Sequence, residues 1–195
     1  MDGKTISQAL ESDKFCKNIF QGIYSQDTVD HILPNKCIIF NTSLSTDPVG
    51  EHWITILNLR PNVIAFLCSY KTSPEDYPPI FDLLKASGKK IYVLPRRLQG
   101  DITSVCGCYS LWFVFLASRH FTPGEMMRQF FPLPPPHPSS TRRKSYNKYE
   151  YDMFVAIVTR EIFKIKAGVP KLLYNQNFIK AQDRQHGVHT EKDIG

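Results

Sequence analysis

Thirteen consecutive residues, Val105 to Ala117, are apolar apart from Gly107 and Ser110. Folded as a helix, this run has no polar face to offer to water, so every side of it must be covered. It is too short to cross a bilayer, which takes ~20 apolar residues. It therefore predicts a helix from about Cys106 to Ser118 running through the centre of a globular domain. A chain of 195 residues with 42% hydrophobic residues can supply that cover. At this length one large domain, or one domain and an appendage, builds a sufficient core without disulfides or a structural metal.

The covering elements are legible upstream. Thr5-Ile6-Ser7-Gln8 has the form of a capping box, and Ala9, Leu10, Phe15, Ile19 and Phe20 predict helical structure through residue 21. Cys37 to Asn41 reads as a short buried strand. His52 to Leu59 is the strongest strand, rich in β-branched and aromatic residues. Arg60-Pro61-Asn62 then turns the chain into Val63–Tyr70, predicting an antiparallel hairpin. Ile80 to Ser87 predicts a short amphipathic helix ended by Gly88, Ile91 to Leu94 a third buried strand, and Phe121 to Phe131 one more short helix.

The composition changes after residue 131. Prolines crowd residues 132–138 and Arg142-Arg143-Lys144 follows, which predicts an extended Pro-rich and basic linker or insertion over 132–145. From Asn147 helical spacing returns, with Tyr151, Phe154, Val155, Val158, Ile162 and Ile165 on one face. A helix over 146–166 is thus expected to dock on the core of residues 1–131. Residues 167–195 regain no period and are expected to lack regular structure. Most of the net charge of +6 falls after residue 131. That basic third is either a solvated tail or a surface for DNA or an acidic partner.

The five cysteines (Cys16, Cys37, Cys68, Cys106, Cys108) are an odd number without regular spacing. Met1 to Thr5 shows no secretory signal. Reduced thiols in an intracellular protein, with no membrane span, are the expectation. Cys106-Gly107-Cys108 is one residue short of a CxxC clip, and no second pair has metal-ligand spacing. His186 and His189 lie in the polar tail. Neither a metal nor a cofactor is expected.

Two residues on this scaffold carry chemistry. His52 opens a strand directly after a turn containing Gly50, and Cys106 stands where a loop becomes the buried helix. A thiol at a helix N-terminus feels unpaired amide groups that favour the thiolate, and a nearby imidazole makes it a nucleophile. Backbone amides at the helix start can hold an oxyanion, and Gln99, seven residues upstream, can add a side-chain donor.

Gly50-Glu51-His52-Trp53 at a strand head, Gln99-Gly100 ahead of Ser104-Val105-Cys106-Gly107, and Tyr109 form an ordered constellation. It resembles the adenain-like cysteine proteases, which comprise the adenovirus maturation protease and the enzymes of Polinton/Maverick elements, in the clan of the ubiquitin-like-protein proteases. Phe20-Gln21-Gly22 matches a further Phe-x-Gly segment of the Polinton-type members. The resemblance spans about residues 5–131 and resumes at the helix after Tyr146. It implies an α+β fold, a small mixed sheet with surrounding helices and a central nucleophile-bearing helix. Carried over, His52 resembles the general base, Cys106 the nucleophile and Gln99 the oxyanion donor. Trp53 resembles the aromatic neighbour of the histidine, and Gly107 the residue that keeps the helix start uncrowded.

One stretch departs from the pattern. Where the family has Phe-Asp-Ser-Tyr-Gly, this chain has Phe66-Leu67-Cys68-Ser69-Tyr70-Lys71, so that Cys68 takes the place of the acid and Lys71 that of the glycine. The resemblance implies a virus- or transposon-encoded cysteine endopeptidase cleaving virion precursor proteins, in a host nucleus or virion. DNA or an activating peptide is an implied partner. Two alternatives remain open: a weakened pseudoenzyme or binding module of the same fold, and a ubiquitin-like-protein deconjugase.

Overall fold

The computed structural model describes residues 1–47, 49–101, 103–130 and 148–165. The predicted linker at 132–145, with Arg142, Arg143 and Lys144, and the tail at 167–195 lie outside the described residues.

The N-terminal helix begins three residues earlier than its capping box suggests. Helix α1 (Gly3–Ser12) is capped by Asp2, which accepts from the Thr5 amide at 2.7 Å. It ends where Asp13 adopts extended backbone and caps a second helix, α2 (Lys14–Ile19), accepting from the amides of Phe15 and Cys16 at 3.0 and 2.9 Å. Phe20–Ser25 is not the end of a helix but a strand, β1. Its side chains are all half-buried and it hydrogen-bonds to one neighbour only, so it carries no strong alternation. Ile19 and Phe20, at helical distance from Phe15, concealed it.

The remaining strands fall where the sequence predicts them: β2 (Lys36–Asn41), β3 (Trp53–Asn58), β4 (Val63–Leu67) and β5 (Lys90–Val93). They form one five-stranded sheet in the order β1-β2-β3-β4-β5. β1 is parallel to β2 and β4 to β5, whereas β3 is antiparallel to both neighbours. The fold is thus mixed α and β around a mixed sheet. Helix α3 (Pro78–Ala86) makes the crossover from β4 to β5.

Period-two alternation sends side chains to opposite faces of this sheet. Cys37, Ile39, Leu57, Ala65 and Leu67 face one core, shared with α1, α2 and the later helices. Ile38, Phe40, Ile54, Ile56, Ile64 and Phe66 face the other, closed by Ile80 and Leu84 of α3. Between the sheet and the outer helices lies α4 (Cys106–Ala117), buried at every residue except Cys108 and Phe115. It touches β3, α1, α2, α5 (Pro123–Arg128) and α6 (Lys148–Phe163), which is the all-round cover its composition demands.

Helix α6 packs into the α4 core, but on a face rotated from the apolar stripe. Its buried residues are Tyr151, Asp152, Val155, Ala156, Thr159 and Phe163, while Phe154, Val158 and Ile162 are only partly covered. Two polar residues therefore enter the interior. Thr159 turns its hydroxyl back onto the Val155 carbonyl at 2.7 Å, and Asp152 is put to another use.

Candidate functional site

His52 sits one residue before β3, and its carbonyl accepts from the Thr42 amide at 2.9 Å, which continues the β2–β3 ladder by one pair. The turn before it needs Gly50. A Cβ there would meet Asn41 Nδ2 at 2.5 Å, and Asn41 holds the turn through its Oδ1, which accepts from the amides of Ser43 and Glu51. Sheet register thus places the imidazole, which is 7% exposed. Its Nε2 lies 3.3 Å from Cys68 Sγ, and its ring lies against Tyr70 at 4.6 Å between centroids. Nδ1 is buried with no hydrogen-bond partner among the described residues.

Cys106 is the first residue of α4. Burial pushes its thiol up, against the backbone N–H groups of Trp53 and Gly107, which favour the thiolate. The Trp53 amide belongs to the residue after His52, so the sheet and the helix bring the two predicted residues into one neighbourhood. Gly107 keeps this corner close-packed: a Cβ would meet Met1 Cβ at 3.2 Å and Ile6 Cδ1 at 3.3 Å, so those side chains would have to shift slightly. Trp53 braces the same corner, donating from its indole nitrogen to the Met1 carbonyl at 2.9 Å. Cys108 points away from Cys106's surroundings toward α6, where the Thr159 side chain reaches it.

The place of the acid is filled by sulfur. Cys68, fully buried just after β4, faces His52 and also accepts from the Thr72 hydroxyl at 3.0 Å. The Nε2–sulfur contact joins the two groups in either direction; with the ring proton on Nε2 donating to sulfur, Nδ1 is the free base. A thiol cannot compensate an imidazolium as a carboxylate does. Burial accordingly pushes His52 down to about 4. Burial thus acts in one direction on both groups, raising the thiol and lowering the imidazole, and favours their uncharged forms. Lys71, in the place of the glycine, has φ of 64°, the left-handed region that favours glycine.

Gln99 is fully buried in the loop before α4. Its Oε1 accepts from the Ser69 hydroxyl at 2.7 Å, which orients the amide. Both hydrogens of Nε2 are engaged, one by the Tyr70 hydroxyl at 3.0 Å and one by the Thr103 carbonyl at 2.6 Å. Tyr70 therefore stands between His52 and Gln99. Burial first, and the nearby Cys106 second, raise its phenol. An open cleft of about 450 Å³ adjoins Trp53, lined also by Asn41, Ser43, Asp47 and Gly50.

Asp152 of α6 was not legible as part of this region. Its side chain is 0% exposed and accepts three hydrogen bonds: from the Gly100 amide at 2.9 Å, the Thr103 hydroxyl at 2.6 Å and the Tyr109 hydroxyl at 2.9 Å. No sequence signal marked it, because in the helical repeat Asp152 falls among the polar positions beside the apolar stripe.

Among the described residues no three His, Cys, Asp or Glu side chains are placed to hold a metal, and no helix is long and apolar enough to cross a membrane. All five cysteines are free thiols. No protein-family model matches the chain, and no curated protein matches it. Among solved structures it is similar to the central domain of an uncharacterized Legionella pneumophila protein, Lpg1148, at 13% identity and a TM-score of 0.41. The likeness covers 83% of this chain and 98% of that one, and at that level neither fold nor function follows from it.

Proposed function

We propose that the chain is a cysteine endopeptidase of the adenain-like type, with Cys106 as nucleophile and His52 as general base and acid. The observation that carries this reading is the bracketed imidazole. Its Nε2 is turned to Cys68, its Nδ1 is buried without a partner among the described residues, and the Cys106 thiol lies against the amide of the next residue. A buried polar nitrogen left unpaired costs ~1–3 kcal/mol, a cost that makes sense where chemistry uses the nitrogen.

When substrate binding brings Cys106 Sγ into hydrogen-bond reach of His52 Nδ1, the Sγ–H proton passes to that nitrogen as sulfur attacks the scissile carbonyl carbon. The resulting oxyanion takes a hydrogen bond from the Cys106 amide and one from Gln99 Nε2, displacing the Tyr70 hydroxyl as its acceptor. His52 then returns the proton to the leaving amine. Water, activated by the same nitrogen, hydrolyses the thioester and regenerates the thiol. The substrate is extended polypeptide, of the class found in virion precursors.

The test is labelling by a peptide vinyl sulfone and cleavage of denatured casein. Cys106→Ser is expected to abolish both, by more than ~10³-fold, with stability nearly unchanged because the side chains are close in size. Cys108→Ser is expected to retain most activity. Loss in Cys108→Ser with retention in Cys106→Ser would sink the assignment.

A second reading is favoured by the engaged Gln99 amide and the absent carboxylate: a binding module of the same fold. It predicts that wild-type Cys106 reacts with the vinyl sulfone no faster than a free cysteine at the same pH.

A further inference from the structure

We propose that Asp152 is a positioning residue of this site, holding the loop that carries Gln99 in register with the nucleophile helix. The inference rests on the protease reading above and extends it to a helix that contributes no group to the chemistry.

Gln99 and Cys106 must act on the same carbonyl, yet a loop joins them, and loop backbone has no ladder to fix it. Its first half is tied to the turn that follows β4: the Ser69 carbonyl accepts from the amides of Leu98 and Gln99 at 2.9 and 3.0 Å. In its second half the Thr103 carbonyl accepts from the Tyr70 hydroxyl at 3.1 Å, and Asp152 adds the tie that reaches α4. Oδ2 accepts from the Gly100 amide and the Thr103 hydroxyl, while Oδ1 accepts from Tyr109, one turn into α4. One rigid carboxylate thus spans the loop and the helix. The consequence reaches Gln99 directly, because the Thr103 carbonyl is one of the two acceptors of its amide.

A fully buried carboxylate is a costly way to fill space, and an apolar residue would pack there without desolvation. Three donors converging on it from two elements show that geometry, not burial, selects it. Burial pushes the Asp152 carboxyl up, while Thr103, Gly100 and Tyr109 all favour the charged acceptor. The required property is acceptance at two oxygens. Asparagine can meet most of it: its carbonyl oxygen serves Gly100 and Thr103, and its amide donates to the Tyr109 oxygen once that hydroxyl rotates.

The test separates oxyanion geometry from thiol reactivity in the full chain. Casein turnover and inhibition by a peptide aldehyde, whose adduct places an oxyanion in the hole, depend on the Gln99 loop. Alkylation of Cys106 by iodoacetamide does not. For Asp152→Ala, kcat is expected to fall about 10²-fold, as for an ~1 Å misplacement of a catalytic group. KM should stay within about threefold, aldehyde inhibition should weaken in parallel with kcat, and the alkylation rate should hold within about threefold. Asp152→Asn should lie within about threefold of wild type. Should Asp152→Ala not fold, Thr103→Val gives the same pattern at about tenfold. Unchanged kcat and aldehyde inhibition in a folded Asp152→Ala or Thr103→Val overturns the proposal. So does a parallel loss of turnover and alkylation, or a loss in Asp152→Asn as deep as in Asp152→Ala. A wild-type chain that neither cleaves casein nor labels at Cys106 removes the protease reading, and the positioning role with it.

Discussion

The two ends of the site are built on opposite plans. At the His52 end the sheet fixes everything: β2 and β3 set the backbone of His52, and β4 delivers Cys68 to 3.3 Å from its ring. Position is exact by register, but the partner is a thiol. At the Gln99 end the supporting residue is a carboxylate with three donors, but it arrives from α6, across a long stretch of chain. Where the proposed chemistry calls for an acid the chain has a sulfur, and where the proposal needs only positioning it buries an acid. The difference teaches that orientation and charge compensation are separable tasks. Cys68 with Thr72 can orient an imidazole, but only a carboxylate can also stabilise its protonated form.

If that division is right, the largest effect after loss of Cys106 is on the pH dependence of folding. His52 is held at about 4, below its usual value of 6.5. Above pH 6.5 it is neutral in both folded and unfolded chains and contributes nothing. Between pH 6.5 and about 4 only the unfolded chain takes up the proton, so stability falls, by about 3 kcal/mol in all. Urea unfolding at pH 7 and pH 4.5 measures this, with His52→Gln as the reference. A wild-type loss no greater than that of His52→Gln would show that the imidazole is compensated after all.

Smaller in free energy, but decisive for the comparison, is Cys68→Asp. One carboxylate oxygen takes the place of the sulfur against Nε2 and the other accepts from Thr72. The carboxylate favours imidazolium, so the acid limb of the pH–rate profile moves upward from about 4 and turnover rises at least tenfold. An unchanged limb in a folded protein would mean that another group already does this work. The smallest effect belongs to Lys71. Its left-handed backbone costs a side-chain-bearing residue ~1 kcal/mol, so Lys71→Gly should raise stability by about that much and leave turnover within twofold. A destabilised Lys71→Gly, read from thermal midpoints, would show that the lysine side chain makes a compensating contact.

The His52 end was legible because each of its residues is local to a strand or a helix start. Gly50, His52 and Trp53 are contiguous, and Cys106-Gly107 opens the one segment whose helical burial composition already demands. The Gln99 end was half legible. Gln99 stands a short step before Cys106, but its engagement by Tyr70 and Thr103 depends on loop geometry that no periodicity encodes. Asp152 was illegible as a functional residue, since in sequence it is one acid among the polar positions of an amphipathic helix. Strand β1 escaped for the opposite reason: a half-buried edge strand with one partner needs little alternation, and its apolar residues fit helical spacing as well.

By itself, the sequence determined which segments must be buried and which side chains could react. Hydrophobic spacing and residue chemistry are local properties, and they pointed to α4, the β3–β4 hairpin, and the pairing of a strand-head histidine with a helix-head cysteine. Only the tertiary structure decided the rotation of α6. Its apolar stripe and its buried face differ because three donors on the core outweigh the partial exposure of Phe154, Val158 and Ile162. Tertiary structure also decided the protonation of the pair, because burial depends on what surrounds a group and not on its neighbours in the chain.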